Sequence, residues 1–343
     1  MMNEQLSLYL RYLDVERGYS ANTVKTYGRI LEDFLEVLRK QGTTLRRLGK
    51  QELGEYVLIL RQERQNSSKS IRLKLQAIKS FFTFLSEHTR ALKHNPFGKR
   101  DFRYKVEHQE VESLSETQLY ALLEAVEARQ QNSLEGLKRA AGKKRLWQKR
   151  VFAAGRDLCL LTLLASTGLR ISEALGIRLT DIDSVDKSII IRGKGKKIRK
   201  VFFDLPQAEQ RLLRYIEMLR PLKLDHEYLF VSIKQYRPLG PRGAQKLLKE
   251  YLLKAGLRPS VNPHTLRHTF ATVAIEKGAN IKAVSQILGH ANCSTTIDLY
   301  THLSNEHLRE VMQKCNPLCS VEIPLEERIE MRKKHLAYLD KTE

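Results

Sequence analysis

The chain has 343 residues, 42% of them hydrophobic, which is enough for two cores of ordinary domain size and excludes a disordered chain. Lys and Arg number 60 against 39 Asp and Glu, and this net charge of +21 exceeds what a small acidic substrate requires and indicates a polyanionic partner, nucleic acid first. No apolar run approaches the roughly 18 residues that cross a bilayer, and the segment MMNEQLSLYLRYLD lacks the charged region and cleavage site of a signal peptide. We therefore expect a soluble, cytoplasmic protein with no membrane partner.

The first 97 residues predict a helical domain. Four successive segments keep the helical period of apolar residues. Asn22 is a start signal for the second helix, and Asn95-Pro96 is a breaker after the fourth. We therefore predict a compact helical domain over residues 1–97, followed by a polar, charged linker over residues 98–113.

Residues 114–318 predict a second, mostly helical domain with a small antiparallel sheet. The run SIIIRGKGKKIRKVFF has two β-branched and aromatic stretches around a Gly-Lys-Gly turn, which is typical of a β-hairpin. Residues 128–150 carry eight basic side chains and one acidic, and form either a solvated helical insertion or an extra DNA-contacting element. Residues 319–343 predict a C-terminal tail, with a short extended piece and one helix.

Two basic positions of the second domain are ambiguous when taken alone. Arg170 and Glu173 lie three residues apart, a spacing that usually makes a surface ion pair worth a few tenths of a kcal/mol. Lys194 lies between two glycines at the hairpin tip, where a phosphate can approach the backbone closely. Basic side chains at the tip of a β-hairpin are usually just solvated, and Arg199 belongs to the same basic run.

The segment around His264 is more informative. Asn262 is a good cap for a helix that begins at Pro263, so His264 falls in the first turn and shares a face with Arg267. The positive end of a helix dipole attracts phosphate. A structural role for His264 as a second cap competes with this interpretation.

Two further candidates follow along the chain. Asn280 begins a short helix that Gly289 ends, and His290 projects from the turn after it. Tyr300 comes ten residues later, and a tyrosine in a short amphipathic helix is by itself most often a core residue. None of these candidates indicates a reaction alone, but together they do. The set is Arg170, Lys194, His264, Arg267, His290 and Tyr300.

The set suits attack on a phosphodiester. Guanidinium groups match the non-bridging oxygens of phosphate in a bidentate manner, which fits Arg170 and Arg267. His290 is a hydrogen-bond donor for a phosphoryl oxygen, and Glu173 orients and partly neutralises the basic groups around it.

The same set supplies a nucleophile and its acid and base. The phenol of Tyr300 has an ordinary pKa near ~10 and needs a neighbouring base, for which His264 is the candidate. Lys194 can protonate the departing 5′-oxygen. The sequence contains no acidic cluster with ligand spacing, so we expect neither a metal nor a cofactor.

In order and surroundings these residues resemble the tyrosine recombinase (phage integrase) family. The motifs TGLRISE, GKG, HTLRH and LGH surround them, and the segment YSANTVKTYGRILEDFLEVL is similar to the core-binding domain of Xer-type recombinases. The resemblance spans essentially residues 1–310.

The resemblance implies a fold and a reaction. The fold is a two-domain C-shaped clamp on duplex DNA, with a helical, SAM-like core-binding domain and a tyrosine recombinase catalytic domain. The reaction passes through a 3′-phosphotyrosyl link at Tyr300 and a Holliday junction, without ATP, in a tetramer on two nucleoid DNA sites, one dimer per site. Residues 306–314, or the tail beyond them, would contact a neighbouring protomer. The tetramer could also include a partner recombinase or require an accessory factor.

The sequence departs from the plainest Xer pattern in the insertion at residues 128–150 and in the extended tail. The spacing from His290 to Tyr300 resembles that of mobile-element integrases, and we expect no arm-binding domain of the lambda-like kind before the first domain. Chromosome-dimer resolution, mobile-element integration and plasmid resolution therefore all stay open.

Two other functions compete with recombination. A DNA-binding regulator of the same fold explains the charge equally well, but has no need of a complete catalytic set. A type IB topoisomerase uses similar chemistry, but the Xer-like first domain disfavours it.

Base-edge contacts come from few side chains, and the candidates are in the last helix of the first domain. They are Arg72, Lys74 and Lys79. Contact with phosphates or solvent alone is an equally good interpretation.

Overall fold

The computed structural model describes residues 2–89, 91–92, 95–97, 113–140, 142–193, 198–289 and 305–316. The chain divides into two compact units, Met1–Glu110 and Val111–Glu343, each with its own hydrophobic core. Among the described residues, no helix combines the length and the apolar character needed to cross a bilayer.

The first unit consists of helices. They are α1 (Met2–Val15), α2 (Ala21–Lys40), α3 (Lys50–Leu58) and α4 (Ser68–His88), and a π-helical turn, Ile59–Glu63, extends α3. Their apolar faces meet in a core rich in aromatic rings. The fully buried rings are those of Tyr9, Phe34, Tyr56, Phe81 and Phe82.

The start of α2 differs from the sequence prediction. Ser20 is the N-cap, in extended conformation, and its side chain accepts a hydrogen bond from the backbone N–H of Thr23 at 3.3 Å. Asn22 therefore lies inside the first turn, and its assignment as the start signal is wrong. Ser and Asn cap helices about equally well, so residue preference alone does not separate two candidates two positions apart.

The second unit is also mostly helical. Its helices are α5 (Glu116–Lys138), α6 (Lys144–Thr167), α7 (Ile171–Leu175), α8 (Pro206–Leu219), α9 (Pro241–Lys254), α10 (Pro263–Glu276), α11 (Ile281–Leu288) and α12 (Asn305–Lys314).

A small antiparallel sheet lies in the second unit, with strand order β1 (Ile182–Asp183), β2 (Ser188–Arg192) and β3 (Ile198–Phe202). The register pairs Ile191 with Arg199. The predicted fold class, mainly helical with a small antiparallel sheet, is confirmed. The hairpin was expected, whereas β1 was not, because two residues are too few to show the alternation of a strand.

The helix α6 is the centre of the second unit, and every residue from Phe152 to Thr167 is buried. It packs against α5, α8 and α10. The chain leaves α6 at Gly168, which has a φ of +62°. A Cβ at this position would lie 2.6 Å from Leu288 Cδ2 and 2.7 Å from Phe270 Cδ1, so the turn is tightly covered by α10 and α11.

The helix α12 packs on its own unit. Val311 and Met312 are buried in the core, and Arg309 Nη2 donates to Asp186 Oδ1 at 2.7 Å. Just after the helix, the fully buried Asn316 donates its Nδ2 to the carbonyl of Ser166 at 2.6 Å. Of the predicted linker over residues 98–113 the structure describes Ser113 alone, and the predicted tail over 319–343 lies outside the described residues.

The turn at Gly168 gives a stability prediction with a matched control. Gly278 also has a positive φ, +88°, but nothing lies within 4 Å of a Cβ built there. Gly278→Ala should therefore lower the free energy of unfolding by about 1 kcal/mol, from backbone strain alone. Gly168→Ala should lower it by a further 1 to 3 kcal/mol, roughly, because the methyl group also overpacks the core. Urea unfolding of both variants measures the difference, and equal losses would contradict the described packing.

Candidate active site

Glu173 is buried in its pair with Arg170, unlike the carboxylate of the surface pair that this spacing usually makes. Arg170 precedes α7, and its backbone N–H donates to Glu173 Oε2 at 2.9 Å, while its Nη1 donates to Oε1 at 2.9 Å. The side chain of Glu173 is 5% exposed. A carboxylate this buried needs full compensation of its charge, and one arginine does not provide it.

Arg199 provides the rest of the compensation. Its Nη1 and Nη2 donate to Glu173 Oε1 and Oε2 at 3.1 and 2.9 Å, and its Nε donates to the carbonyl of Ile287 at 3.0 Å. Burial by itself raises the pKa of Glu173, but the hydrogen bonds from Arg199 and Arg170 lower it to about 2. Glu173 is therefore ionised at neutral pH.

The sequence interpretation of Arg199 as a solvated hairpin cation is wrong. Its side chain is 16% exposed. A signal for this was present in the sequence, because side chains alternate along a strand and Arg199 lies two residues before Val201, which is buried. The many basic residues near the hairpin tip made Arg199 look like one more solvated cation, although the alternation of side chains placed it on the buried face.

Arg267, on α10, is almost fully buried, at 5% exposure. Its Nη1 donates to the carbonyl of Gly168 at 3.0 Å and its Nη2 to that of Leu288 at 2.6 Å. Burial, followed by the charge of Arg170, lowers the pKa of Arg267 to about 10. The group stays protonated at neutral pH, in a field that is already positive.

Three guanidinium groups thus converge on the C-terminal end of α11. Arg199 binds the carbonyl of Ile287, Arg267 that of Leu288, and Arg170 Nη2 that of Gly289 at 3.3 Å. The last carbonyls of a helix have no partner within the helix and carry its negative dipole end, so they are natural acceptors for cations.

Gly289 has a φ of +63°, and a Cβ there would lie 2.8 Å from Arg199 Nη1. A glycine is thus required at the point where the chain passes the arginines. We refer to Arg170, Glu173, Arg199 and Arg267 as the guanidinium cluster; its formal charge is +2.

His264 lies three residues before Arg267 on α10 and is exposed. Asn262 Oδ1 is the cap of this helix and accepts the backbone N–H of His264 at 2.9 Å. Within the described part of the chain no hydrogen bond to the His264 ring is seen, so nothing there supports a capping role for the imidazole. Burial, followed by the charges of His264 and Arg267, lowers the pKa of the neighbouring His268.

Three predicted site residues, Lys194, His290 and Tyr300, lie outside the described residues. In the sequence, Lys194 follows the end of β2 by two residues, and His290 directly follows Gly289. Lys194 thus follows the strand that pairs with β3, the strand of Arg199, and His290 follows a carbonyl that Arg170 binds.

The three groove candidates on α4 differ in their surroundings. Arg72 is exposed and Lys79 is half-buried. Lys74 has a side chain that is 19% exposed, with its Nζ 3.7 Å from Asp33 Oδ2. An internal ion pair thus competes with any DNA contact of Lys74.

By its chemistry, the guanidinium cluster can bind an anion. Its arginines are held on one side by carbonyls and Glu173, and guanidinium groups retain donors for phosphate-like oxygens. In the described ranges, no three His, Cys, Asp or Glu side chains group as metal ligands would.

Comparisons with known proteins show the family of this chain. The "Phage integrase family" model matches residues 147–307, and the "Phage integrase, N-terminal SAM-like domain" model matches residues 6–88. The chain is 32% identical to the tyrosine recombinase XerC of Anoxybacillus flavithermus over 92% of this chain and 98% of that protein. It is also 32% identical to the tyrosine recombinase XerD of Lacticaseibacillus casei, over 92% of this chain and 99% of that protein.

Among solved structures, the fold is similar to that of the XerH site-specific recombinase bound to its difH substrate. The TM-score is 0.62 at 22% identity, and the match covers 90% of this chain and 83% of that one. The resemblance predicted from the catalytic motifs is confirmed. The chain therefore belongs to the phage integrase family and is a tyrosine site-specific recombinase.

Proposed function

We propose that this recombinase cuts and rejoins duplex DNA through a 3′-phosphotyrosyl intermediate at Tyr300. The observation that supports this most directly is the position of Arg170 and Arg267. They donate to the carbonyls of Gly289 and Leu288, the two residues that immediately precede His290 in the chain. A phosphate bound by the two arginines would lie beside the start of the segment that contains His290 and Tyr300.

Cleavage forms one bond and breaks one. The phenolic oxygen of Tyr300 attacks the scissile phosphorus, and its proton goes to His264 as general base. The bond from phosphorus to the 5′-oxygen breaks, and Lys194 protonates that oxygen, leaving a free 5′-hydroxyl. Arg170 and Arg267 stabilise the charge that develops on the non-bridging oxygens, and His290 donates to one of them.

Rejoining is the reverse reaction with a different hydroxyl. The 5′-hydroxyl of the partner duplex attacks the phosphotyrosine, the bond from phosphorus to Tyr300 breaks, and the phenol is restored. The phosphodiester energy is conserved, so no ATP is consumed. Two such rounds pass through a Holliday junction in a tetramer, with a dimer on each DNA site.

The domain roles follow from this reaction. Residues 1–97 would bind the DNA site, and Arg72 is the most exposed of the three groove candidates. Residues 114–318 would carry out the reaction. Since α12 packs on its own unit, the tail at residues 319–343 is the segment we assign to contact with a neighbouring protomer. A partner recombinase or an accessory factor fits the same assembly on nucleoid DNA.

Tyr300→Phe should abolish covalent protein–DNA adducts while leaving duplex binding nearly unchanged, because only the nucleophilic oxygen is removed. The target is first recovered by sequencing fragments from SDS-resistant complexes of the wild type, and is then made as a nicked duplex that traps the adduct. Tyr228→Phe, at a half-buried tyrosine of the same unit, is the matched control and should form adducts normally.

The outcomes separate the competing functions. Undiminished adducts in Tyr300→Phe would remove this nucleophile. A wild-type chain that binds DNA but never forms an adduct would be a regulator. Adducts with relaxation of supercoils, but without strand exchange between two duplexes, would identify a topoisomerase.

EDTA should leave the rate of adduct formation by the wild type unchanged, because guanidinium and ammonium groups supply the positive charge in this mechanism. The rate is measured in single turnover on the nicked duplex, before and after dialysis against the chelator. A loss of cleavage that Mg²⁺ restores would contradict the proposed chemistry.

A further inference from the structure

We propose that Arg199 is a positioning residue for Arg170, acting through Glu173; this role rests on the proposed function. Each of the three nitrogens of Arg199 donates to an internal acceptor, two to Glu173 and one to the carbonyl of Ile287. Its guanidinium therefore faces the protein. Arg170, by contrast, is 35% exposed, and its Nε has no partner in the described residues.

Glu173 is the link between the two arginines. Its Oε1 accepts from both Arg170 Nη1 and Arg199 Nη1, and its Oε2 accepts from the backbone N–H of Arg170 and from Arg199 Nη2. Arg170 is thus oriented by a carboxylate that Arg199 holds on its other side. The charged groups around Glu173 in the described residues are Arg170, which precedes α7, Arg199 of β3 and, at longer range, Arg267 of α10.

Removal of Arg199 takes away two of the four donors to Glu173. Burial, which favours the neutral acid, is then opposed by Arg170 and the more distant Arg267 alone, so the pKa of Glu173 rises from its present low value. Below that new pKa the acid is protonated, Arg170 loses its anchor, and cleavage slows. The variant should therefore show an acid limb in the pH dependence of cleavage that the wild type shows only at lower pH.

The test compares Arg199→Gln with Lys200→Gln, a change of the next residue, whose side chain is 45% exposed and faces Asp186. With saturating nicked duplex, Arg199→Gln should slow single-turnover adduct formation by roughly 100-fold, the typical cost of a misplaced catalytic group. The dissociation constant for DNA should change less than about twofold, since Arg170 and Arg267 both remain. Lys200→Gln should cleave like the wild type at every pH.

A double-mutant cycle excludes a merely structural role. In a Glu173→Gln background the change at Arg199 should cost much less than it does in the wild type, because the link to Arg170 is already lost. Additive losses, or an unshifted acid limb in a folded Arg199→Gln protein, would overturn the inference. A wild type that forms no adduct would instead overturn the proposed function.

A second, independent observation concerns residues 128–150, which we call the basic hairpin. Eight basic side chains and one acidic give it a net charge of +7, one third of the charge of the whole chain. It comprises the end of α5 and the start of α6. The ring of Trp147 lies against Gly136, leaving no room for a Cβ there, and Arg150 lies over this ring at 4.6 Å. The charges are therefore carried on packed helices.

Most of these charges face solvent without compensation. Arg129 lies 3.6 Å from carboxylate oxygens of both Asp157 and Glu250, and Arg139 pairs with Glu135 at 3.5 Å. The other six basic side chains have no carboxylate partner in the part of the chain that the structure describes. They are Lys138, Lys143, Lys144, Arg145, Lys149 and Arg150.

The basic hairpin lies far from the guanidinium cluster along a single helix. From Lys144 to Thr167, next to Gly168, α6 rises by about 34 Å. One turn of duplex DNA, about 10 base pairs, has the same length. The geometry points to the phosphate backbone of duplex DNA as the partner of the basic hairpin, about one helical turn from the scissile phosphate.

The test variant changes Lys143, Lys144, Arg145 and Lys149 to Gln, and keeps Arg150 because it packs on Trp147. The control makes the same charge change at exposed positions elsewhere in the second unit. These are Lys223, Lys234, Arg237 and Lys249. Both are measured for DNA affinity against salt, on a duplex with 20-base-pair flanks, roughly two helical turns, and on one cut back to about 8 base pairs from the cleavage site.

On the long duplex the hairpin variant should lower the log–log salt slope by up to about 3.6, since each lost phosphate contact removes about 0.9. It should bind the short duplex like the control and cleave at the normal rate when saturated. Equal slopes for variant and control on the long duplex, or an equal loss on the short one, would overturn the inference. Because adduct formation is scored separately, either result leaves the proposed function standing.

Discussion

The site depends on one constraint, which is that several arginines have to remain charged in a largely buried place. Arg170, Arg199 and Arg267 repel one another, and the lowered pKa of Arg267 reflects burial and that repulsion. Glu173 offsets part of the charge and would itself be unstable without two arginines around it. The carboxylate and the arginines thus stabilise one another, and removing either side leaves buried charges uncompensated.

The fold is arranged to make this cluster possible. The arginines come from the N-terminus of α7, from β3 and from α10, and they meet at the end of α11. Gly168 and Gly289 both adopt positive φ at the ends of α6 and α11, so that carbonyls turn toward the guanidinium groups. The buried helix α6 holds the carbonyl of Gly168 in place for Arg267, because Gly168 follows this helix directly.

Local sequence signals predicted the parts of the site but not the way they are joined. The cap at Asn262, the end of a helix at Gly289 and the hairpin were all predictable, since each depends on residues close in the chain. Arg199 was misjudged because its partners Glu173 and Ile287 are 26 and 88 residues away. The cap of α2 was misplaced because two good capping residues, Ser20 and Asn22, compete there.

The choice of acceptors explains how the arginines can be held in place while the cluster keeps a positive charge for a phosphate. Had each arginine been fixed by its own carboxylate, the cluster would be neutral and the attraction for an anion lost. Backbone carbonyls at a helix end fix the direction of a guanidinium group with only a partial negative charge. With Glu173 as its carboxylate, the cluster keeps a formal charge of +2. Orientation and positive potential, which ordinarily oppose each other in a buried site, are thus both retained before any phosphate arrives.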